Sequence, residues 1–270
     1  MIELDKSTLR KLQLIELEML IEVDRICRKC NIKYSIIAGT LLGAIRHCGF
    51  IPWDDDADVG MLREEYEKFR TACETELDTS KFYFQDHRNT YGYRWGYGKI
   101  RRKDTVFLRE HQEHMPYEQG VFIDVFPLDG VPQNKVSFKI HNLKCYCFRR
   151  VLWSAVGRIH EKNIIYKRLY NILYMIPLDF IFAEYEKFVN KSNSKYKNKV
   201  RALTFPLPKY GMLAEKSWFI NQNEYEFEKH KFYGVEEYDK YLIYKFGNYK
   251  ILPPENERKT HPVSKIKLVD

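Results

Sequence analysis

The 270-residue chain is expected to form an α+β unit: a mixed sheet core flanked by helices, with a helix-rich C-terminal elaboration. Three observations carry this expectation. Leu12, Ile15, Met19, Val23, Ile26, Cys27 and Cys30 recur at helical spacing. Short runs between residues 34 and 126 alternate apolar and polar residues at the period of strands. Residues 133 to 192 read as helix, and the tail beyond them mixes short strands, a helix near Glu236 to Phe246 and a loop at Pro253-Pro254.

In chain order, residues 1–31 make an amphipathic leading helix packed on the core. Tyr34 to Ala38 reads as a short buried strand, and Gly39-Thr40-Leu41-Leu42-Gly43-Ala44-Ile45-Arg46 as a tight turn entering a helix. Glycine lets the backbone approach a ligand, a helix N-terminus offers unpaired N–H groups, and Thr40 adds a hydroxyl, so an anion fits there. A loop through Gly49 and Pro52 then leads to Trp53-Asp54-Asp55-Asp56-Ala57-Asp58-Val59-Gly60-Met61, with four carboxylates in five positions. Charges so close repel unless a cation compensates them or the segment is a solvated loop. Ala57, Val59 and Met61 alternate with Asp56, Asp58 and Gly60, the period of a half-buried strand. Asp56 and Asp58 then share a face, Asp54 joins them if the extended backbone starts that early, and Asp55 points away to cap or to pair with a base. Carboxylates without a Cys or His cluster nearby suit Mg²⁺ or Mn²⁺.

A helix from Arg63 to about Leu77 follows, then strands near Phe82 to Gln85, Tyr93 to Arg101 and Gly120 to Phe126. Lys99 and Arg101 share a strand face, and with Arg46 and Arg102 they are candidates to neutralise a diphosphate. Asp124 lies in the apolar run Val121 to Phe126, where an ionised carboxylate must be paired or metal-bound. It is either a third site carboxylate, as ligand or base, or half of a structural ion pair with a buried arginine. Asp129, before Gly130, reads as a turn residue. Residues 32–132 are thus read as a catalytic core and 133–270 as an elaboration on it, within one compact unit.

The net charge of +8 favours anionic partners but does not choose among them. Six scattered cysteines are no disulfide framework, which points to a reducing, cytoplasmic setting. Cys27-x-x-Cys30 falls on the apolar stripe with no second ligand pair, so core packing is expected. No run reaches the roughly 18 apolar residues of a spanning helix. The basic, aromatic-rich stretch from Lys135 to Lys199 is either a packed helical subdomain with solvated charges or a surface that lies on a membrane.

Strand, Gly-Thr turn, helix, loop and Asp-x-Asp strand in this order resemble the signature of the nucleotidyltransferase fold. The stretch from Gly39 to Asp58 resembles the defining segment of the LicD family, the bacterial phosphocholine transferases to which fukutin and fukutin-related ribitol-phosphate transferases are similar. Gly120 to Asp129 agrees, as does Tyr244-Lys245-Phe246-Gly247-Asn248-Tyr249 followed by Pro253-Pro254 and Arg258, so the resemblance spans most of the chain. It implies transfer of phosphocholine from CDP-choline to a hydroxyl of a cell-surface glycan (lipopolysaccharide, teichoic acid or capsule), free or lipid-linked, with release of CMP. Asp56, Asp58 and Asp124 would be catalytic, and Asp54, Asp56, Asp58 and Asp124 would hold Mg²⁺ or Mn²⁺, as two ions. Gly39, Thr40, Arg46, Lys99 and Arg101 would meet the donor phosphates, and residues 133–270 would complete the acceptor side. Trp53 and Trp95 are candidate choline or nucleotide contacts, because aromatic faces bind quaternary ammonium. The protein would work in the cytoplasm, peripheral to the inner face of the membrane, with no nucleic acid partner. CDP-glycerol, CDP-ribitol or CDP-ethanolamine as donor, nucleotidyl transfer from an NTP, and a non-catalytic basic membrane-surface or anion-binding module remain alternatives.

Overall fold

The computed structural model describes residue 2, residues 4–207 and residues 213–269. Asp5 accepts a 2.8 Å hydrogen bond from the Thr8 amide and starts α1 (Lys6–Lys29). Its stripe is buried from Leu9 to Cys27, while Cys30 falls beyond the helix end and is exposed, so only the first of the two cysteines packs in the core.

The remaining strands and helices are β1 (Ser35–Ile36), α2 (Ala38–His47), β2 (Asp58–Leu62), α3 (Arg63–Glu76), β3 (Phe82–Gln85), β4 (Gly98–Arg102), β5 (Val106–Arg109), β6 (Phe122–Val131), α4 (Lys135–His160), α5 (Ile164–Tyr174), α6 (Leu178–Lys195), β7 (Lys199–Arg201), β8 (Ala214–Glu215), β9 (Gln222–Phe227), β10 (His230–Val235), α7 (Tyr238–Phe246) and β11 (Val263–Lys267). The main sheet runs β3-β4-β6-β2-β1-β10-β9, with β7 pairing the far half of β6 and β8 pairing β7. β2 is parallel to β6 and β1 to β10; the other pairs are antiparallel, which makes the sheet mixed as expected. Strands from beyond residue 132 complete it, and its apolar core draws on residues from Leu9 to Val263.

The departures from the sequence reading have local causes. The strand read from Tyr93 begins only at Gly98. The preceding segment turns at Gly92, whose φ of +74° suits glycine, and folds back so that the Tyr93 hydroxyl donates to the Tyr97 carbonyl (3.0 Å). β6 continues past Pro127 because β7 takes up its far half, so Asp129 is a strand residue and not a turn residue. β5 and β11 form a separate two-stranded ribbon whose partners are too distant in sequence to be paired by pattern. The helical stretch is three helices, two of them started by Asn134 and Asn163 accepting from amides of their first turns. Among the described residues no helix is long and apolar enough to cross a membrane.

Candidate active site

The register of three adjacent strands assembles the site. Asp58 of β2 stands opposite Asp124 of β6, and Asp124 opposite Lys99 of β4, so the three side chains form a row on one face of the sheet. Lys99 Nζ is hydrogen-bonded to Asp124 Oδ1, which supplies the compensation this buried carboxylate requires; the partner is a lysine and not an arginine. Asp56 lies two residues ahead of β2. Asp54 is outside the strand altogether, its amide bonded to the Ile51 carbonyl (2.9 Å) in a turn, yet its carboxylate still comes back to the start of α2. A Cβ on Gly39 would lie 2.5 Å from Asp54 Oδ2, so glycine is what leaves room for it. A carboxylate there is favoured by the positive end of the helix dipole.

Thr40 is buried and its hydroxyl accepts a 2.8 Å hydrogen bond from the Asp58 amide. Gly39 and Thr40, expected to meet donor phosphates, are thus engaged by the acidic segment and hold it in place. Ala38, one residue earlier, has a φ of +48°, a strained conformation for a residue with a Cβ, and its amide donates to the Tyr241 hydroxyl (3.2 Å).

Burial, together with the negative charge of Asp56 and Asp124, pushes the Asp58 carboxyl well above the usual range. Burial, with Asp56 and Asp55 beside it, raises Asp54 to about 8. Burial raises Asp56 as well, against the opposing charges of His261 and Arg109. Asp55, although buried, is held low by a hydrogen bond from His261 and by Arg109. Arg109 Nη1 lies 2.9 Å from Asp55 Oδ2 and its Nη2 3.5 Å from Asp56 Oδ2. The His261 amide and Nδ1 both reach Asp55 Oδ1, at 3.0 and 2.9 Å, and Nδ1 is 3.5 Å from Asp56. Asp55 therefore pairs with bases, but it precedes β2 and shares Arg109 and His261 with Asp56, so the two are not divided onto opposite faces of a strand. Burial lowers Lys99 to about 8 despite Asp124.

A cavity of about 600 Å³ opens beside the row, with Asp56, Asp124 and Lys99 in its wall. Arg94, Arg101, Arg109, Arg149 and Arg150 surround it. Trp95 and Trp153 pack at a tilt of 48° with 5.7 Å between ring centroids on another wall, and Trp95 Nε1 donates to the Tyr117 hydroxyl (3.1 Å). Arg101 is tied inward to Gln85 Oε1 (2.5 Å) and the Gly120 carbonyl (2.7 Å). A smaller cavity of about 80 Å³ holds Asp58, Lys245, Ala38 and Tyr241 and shares Phe205 and Pro206 with the first.

Gly39, Thr40 and Asp54 line neither cavity, and two further candidates, Arg46 and Trp53, also stand apart from both. Arg46 is eight residues along α2, about 12 Å from its start, and bonds His47 Nε2 (3.0 Å) and the Tyr249 carbonyl (2.9 Å). Trp53 packs on the edge of His47 and under Arg258, whose guanidinium is 5.0 Å from the ring centre. Sequence reading also missed four residues. Glu16 is buried on α1 beside Asp55 and Asp56, with Oε2 lacking a partner and its carboxyl pushed well up by burial. A carboxylate on the apolar stripe of the first helix was the available signal. Lys245, inside the quoted Tyr244–Tyr249 piece, faces Asp58 and is lowered by burial. Arg109 carried no local signal, and His261, after Pro253-Pro254 and Arg258, resembled the family's C-terminal end without a readable role, because only the β5–β11 pairing brings the two to Asp55.

Among the described residues no three Asp, Glu, His or Cys side chains gather closely enough to cage an ion unaided. The carboxylates of Asp54 and Asp58 nonetheless take no hydrogen bond from described residues and repel their neighbours. That donor set fits a hard divalent cation held by one or two carboxylates, with its other positions filled by substrate phosphates and water.

Residues 31–146 match the family model described as LicD/FKTN/FKRP, nucleotidyltransferase domain. The chain is 30% identical to the lipopolysaccharide cholinephosphotransferase LicD of Haemophilus influenzae over 277 aligned residues, covering 96% of this chain and 97% of that protein. Shorter matches reach uncharacterized proteins of Rickettsia typhi (45% over 53 residues, 20% of this chain and 17% of that one) and Rickettsia prowazekii (48% over 48 residues, 18% of each).

Proposed function

The chain belongs to the LicD family and is a phosphotransferase of that type, and we propose that it transfers phosphocholine from CDP-choline to a hydroxyl of a lipopolysaccharide-type glycan, releasing CMP. The observation that carries this reading is the row of Asp58, Asp124 and Lys99 across three strands, with Asp124, Lys99 and Asp56 on the wall of a cavity ringed by arginines and Asp58 on the wall of the smaller cavity. Such a cavity attracts a nucleoside diphosphate, and the Trp95 and Trp153 faces offer a seat for a quaternary ammonium.

Asp56 and Asp58, with Asp54 at the start of α2, would hold Mg²⁺. When bound, the ion supplies neutralisation of charge on the diphosphate oxygens. Arg109 and His261 hold Asp55 and draw Asp56 to the cavity edge, which fixes the acidic segment for its task. Lys99 holds Asp124, whose second oxygen is left to accept the proton of the acceptor hydroxyl. The acceptor oxygen forms the new bond to the phosphorus that carries choline, the bond from that phosphorus to the bridging oxygen breaks, and CMP departs with the electron pair. Lys99 and the cavity arginines stabilise the charge that gathers on the leaving phosphate.

The test is ³¹P NMR of the protein with CDP-choline, Mg²⁺ and a lipopolysaccharide acceptor. CMP and a new phosphodiester resonance on the glycan are expected. Turnover of CDP-glycerol, CDP-ribitol or CDP-ethanolamine in its place would correct the donor. Pyrophosphate from CTP would overturn the reading in favour of nucleotidyl transfer.

A further inference from the structure

We propose that the α4–α5 hairpin is a docking surface for an anionic lipid membrane, a role independent of which donor the active site takes. The starting observation is the unpartnered face of α5. Tyr170 is the one buried residue of this helix, and it lies against Gly157 of α4, where any side chain would run into its ring. Everything on the opposite side is left outside the fold. Ile164, Ile165, Leu169 and Ile172 fall within an arc of about 140° at 100° per residue, and with Met175 just past the helix end they are 44–80% exposed. α4 repeats the pattern: Val136, Ile140 and Leu143 are spaced four and three apart and are 57–67% exposed. Single exposed apolar residues need no explanation, but two helical stripes of them do.

Charge selects the occupant. Between residues 135 and 174 there are nine Lys and Arg and one acidic residue, Glu161. Lys139 and Lys144 flank the α4 stripe, and Arg168 lies within the arc of the α5 stripe with Lys167 beside it. A second copy of the same face would bring these cations against one another. A nucleic acid backbone would satisfy the cations and leave the isoleucines in water. An anionic bilayer satisfies both sets, with the stripes entering the acyl boundary and the Lys and Arg heads at the phosphates. α5 is about 16 Å long, so it lies along such a surface and does not span it. α4 also carries Arg149, Arg150 and Trp153 in the cavity wall, so docking would bring the cavity to the surface where a lipid-linked acceptor resides.

The experiment is flotation of the full chain with vesicles of equal parts phosphatidylglycerol and phosphatidylcholine, and with phosphatidylcholine alone. Binding to the anionic vesicles that weakens as salt is raised is expected. Each basic residue near such a surface contributes about fivefold in affinity, so the double variant Lys167→Glu, Arg168→Glu should bind at least tenfold more weakly. Ile165→Ser with Ile172→Ser should bind weakly even at low salt, with an unchanged far-UV spectrum because both residues are exposed. The proposal fails if the chain ignores anionic vesicles, if these variants bind as the parent does, or if the apolar variant binds normally and the charge variant alone fails. It also fails if sedimentation shows a dimer that the α5 variants dissociate, which would assign the face to a second copy.

Discussion

The two ends of β6 each bury a carboxylate, and they treat it in opposite ways. Asp129, at the far end, is fully buried and saturated. Arg63 grips it with two hydrogen bonds of 2.8 and 2.7 Å, and Asn193 Nδ2 adds a third at 2.7 Å. Asp124, at the near end, has Lys99 on one oxygen and stands beside Asp58, a carboxylate that takes no hydrogen bond from described residues and has other acids around it. A chain selected only for stability would resolve the second arrangement as it resolves the first. That it leaves acids crowded at this end of the strand is what the proposed chemistry would call for.

The comparison is sharpened by substituting its two halves. Asp129→Ala leaves the buried Arg63 guanidinium with Glu67 alone, at 3.2 Å, and should cost about 3 kcal/mol of unfolding free energy, read by urea titration; a loss below about 1 kcal/mol would remove the structural assignment. Asp58→Asn should do the reverse. The midpoint of thermal unfolding stays level or rises, because a repelling charge is gone, while kcat/KM falls by about a thousandfold. Parallel losses of stability and activity in this variant would erase the distinction between the two ends.

How much of this was open to sequence reading depended on the distance over which a signal acts. Asp58 begins β2 as the local alternation predicts, whereas Asp56, read onto the same strand, precedes it and reaches the cavity wall from the connecting segment. Asp124 was legible because an ionised group in an apolar run demands a partner, although Lys99 as that partner follows only from the β4–β6 register. Asp129 was misread since its partner Arg63 is 66 residues away and the pattern Leu-Asp-Gly favours a turn. Arg46 and Trp53 were drawn to the site by nearness in sequence, but the helical rise carries Arg46 away from the α2 start, and Trp53 turns to His47 and Arg258. The mixed sheet was readable as a class; its completion by β7, β9 and β10 was not, because β7 is only three residues long and β9 and β10 carry exposed residues that blur the alternation.

Smaller effects refine the same contrast. His261→Ala leaves the row itself intact but loosens Asp55 and Asp56, so kcat/KM should fall about tenfold to a hundredfold with little change in unfolding free energy. A loss as deep as that of Asp58→Asn would place His261 among the groups that touch substrate. Arg46→Ala, far along α2, should change kcat/KM by less than about threefold, under 0.7 kcal/mol. A hundredfold rise in KM for the donor would restore it as a phosphate contact.

The central claim, that the near end of β6 and β2 is built to receive a divalent cation with the donor, is tested most directly by electron paramagnetic resonance of Mn²⁺. The parent chain with CDP-choline is expected to remove Mn²⁺ from its free signal, and Asp58→Asn and Asp56→Asn to bind it at least tenfold more weakly, while Arg46→Ala binds as the parent does. Equal Mn²⁺ binding by the parent and both aspartate variants would contradict the account.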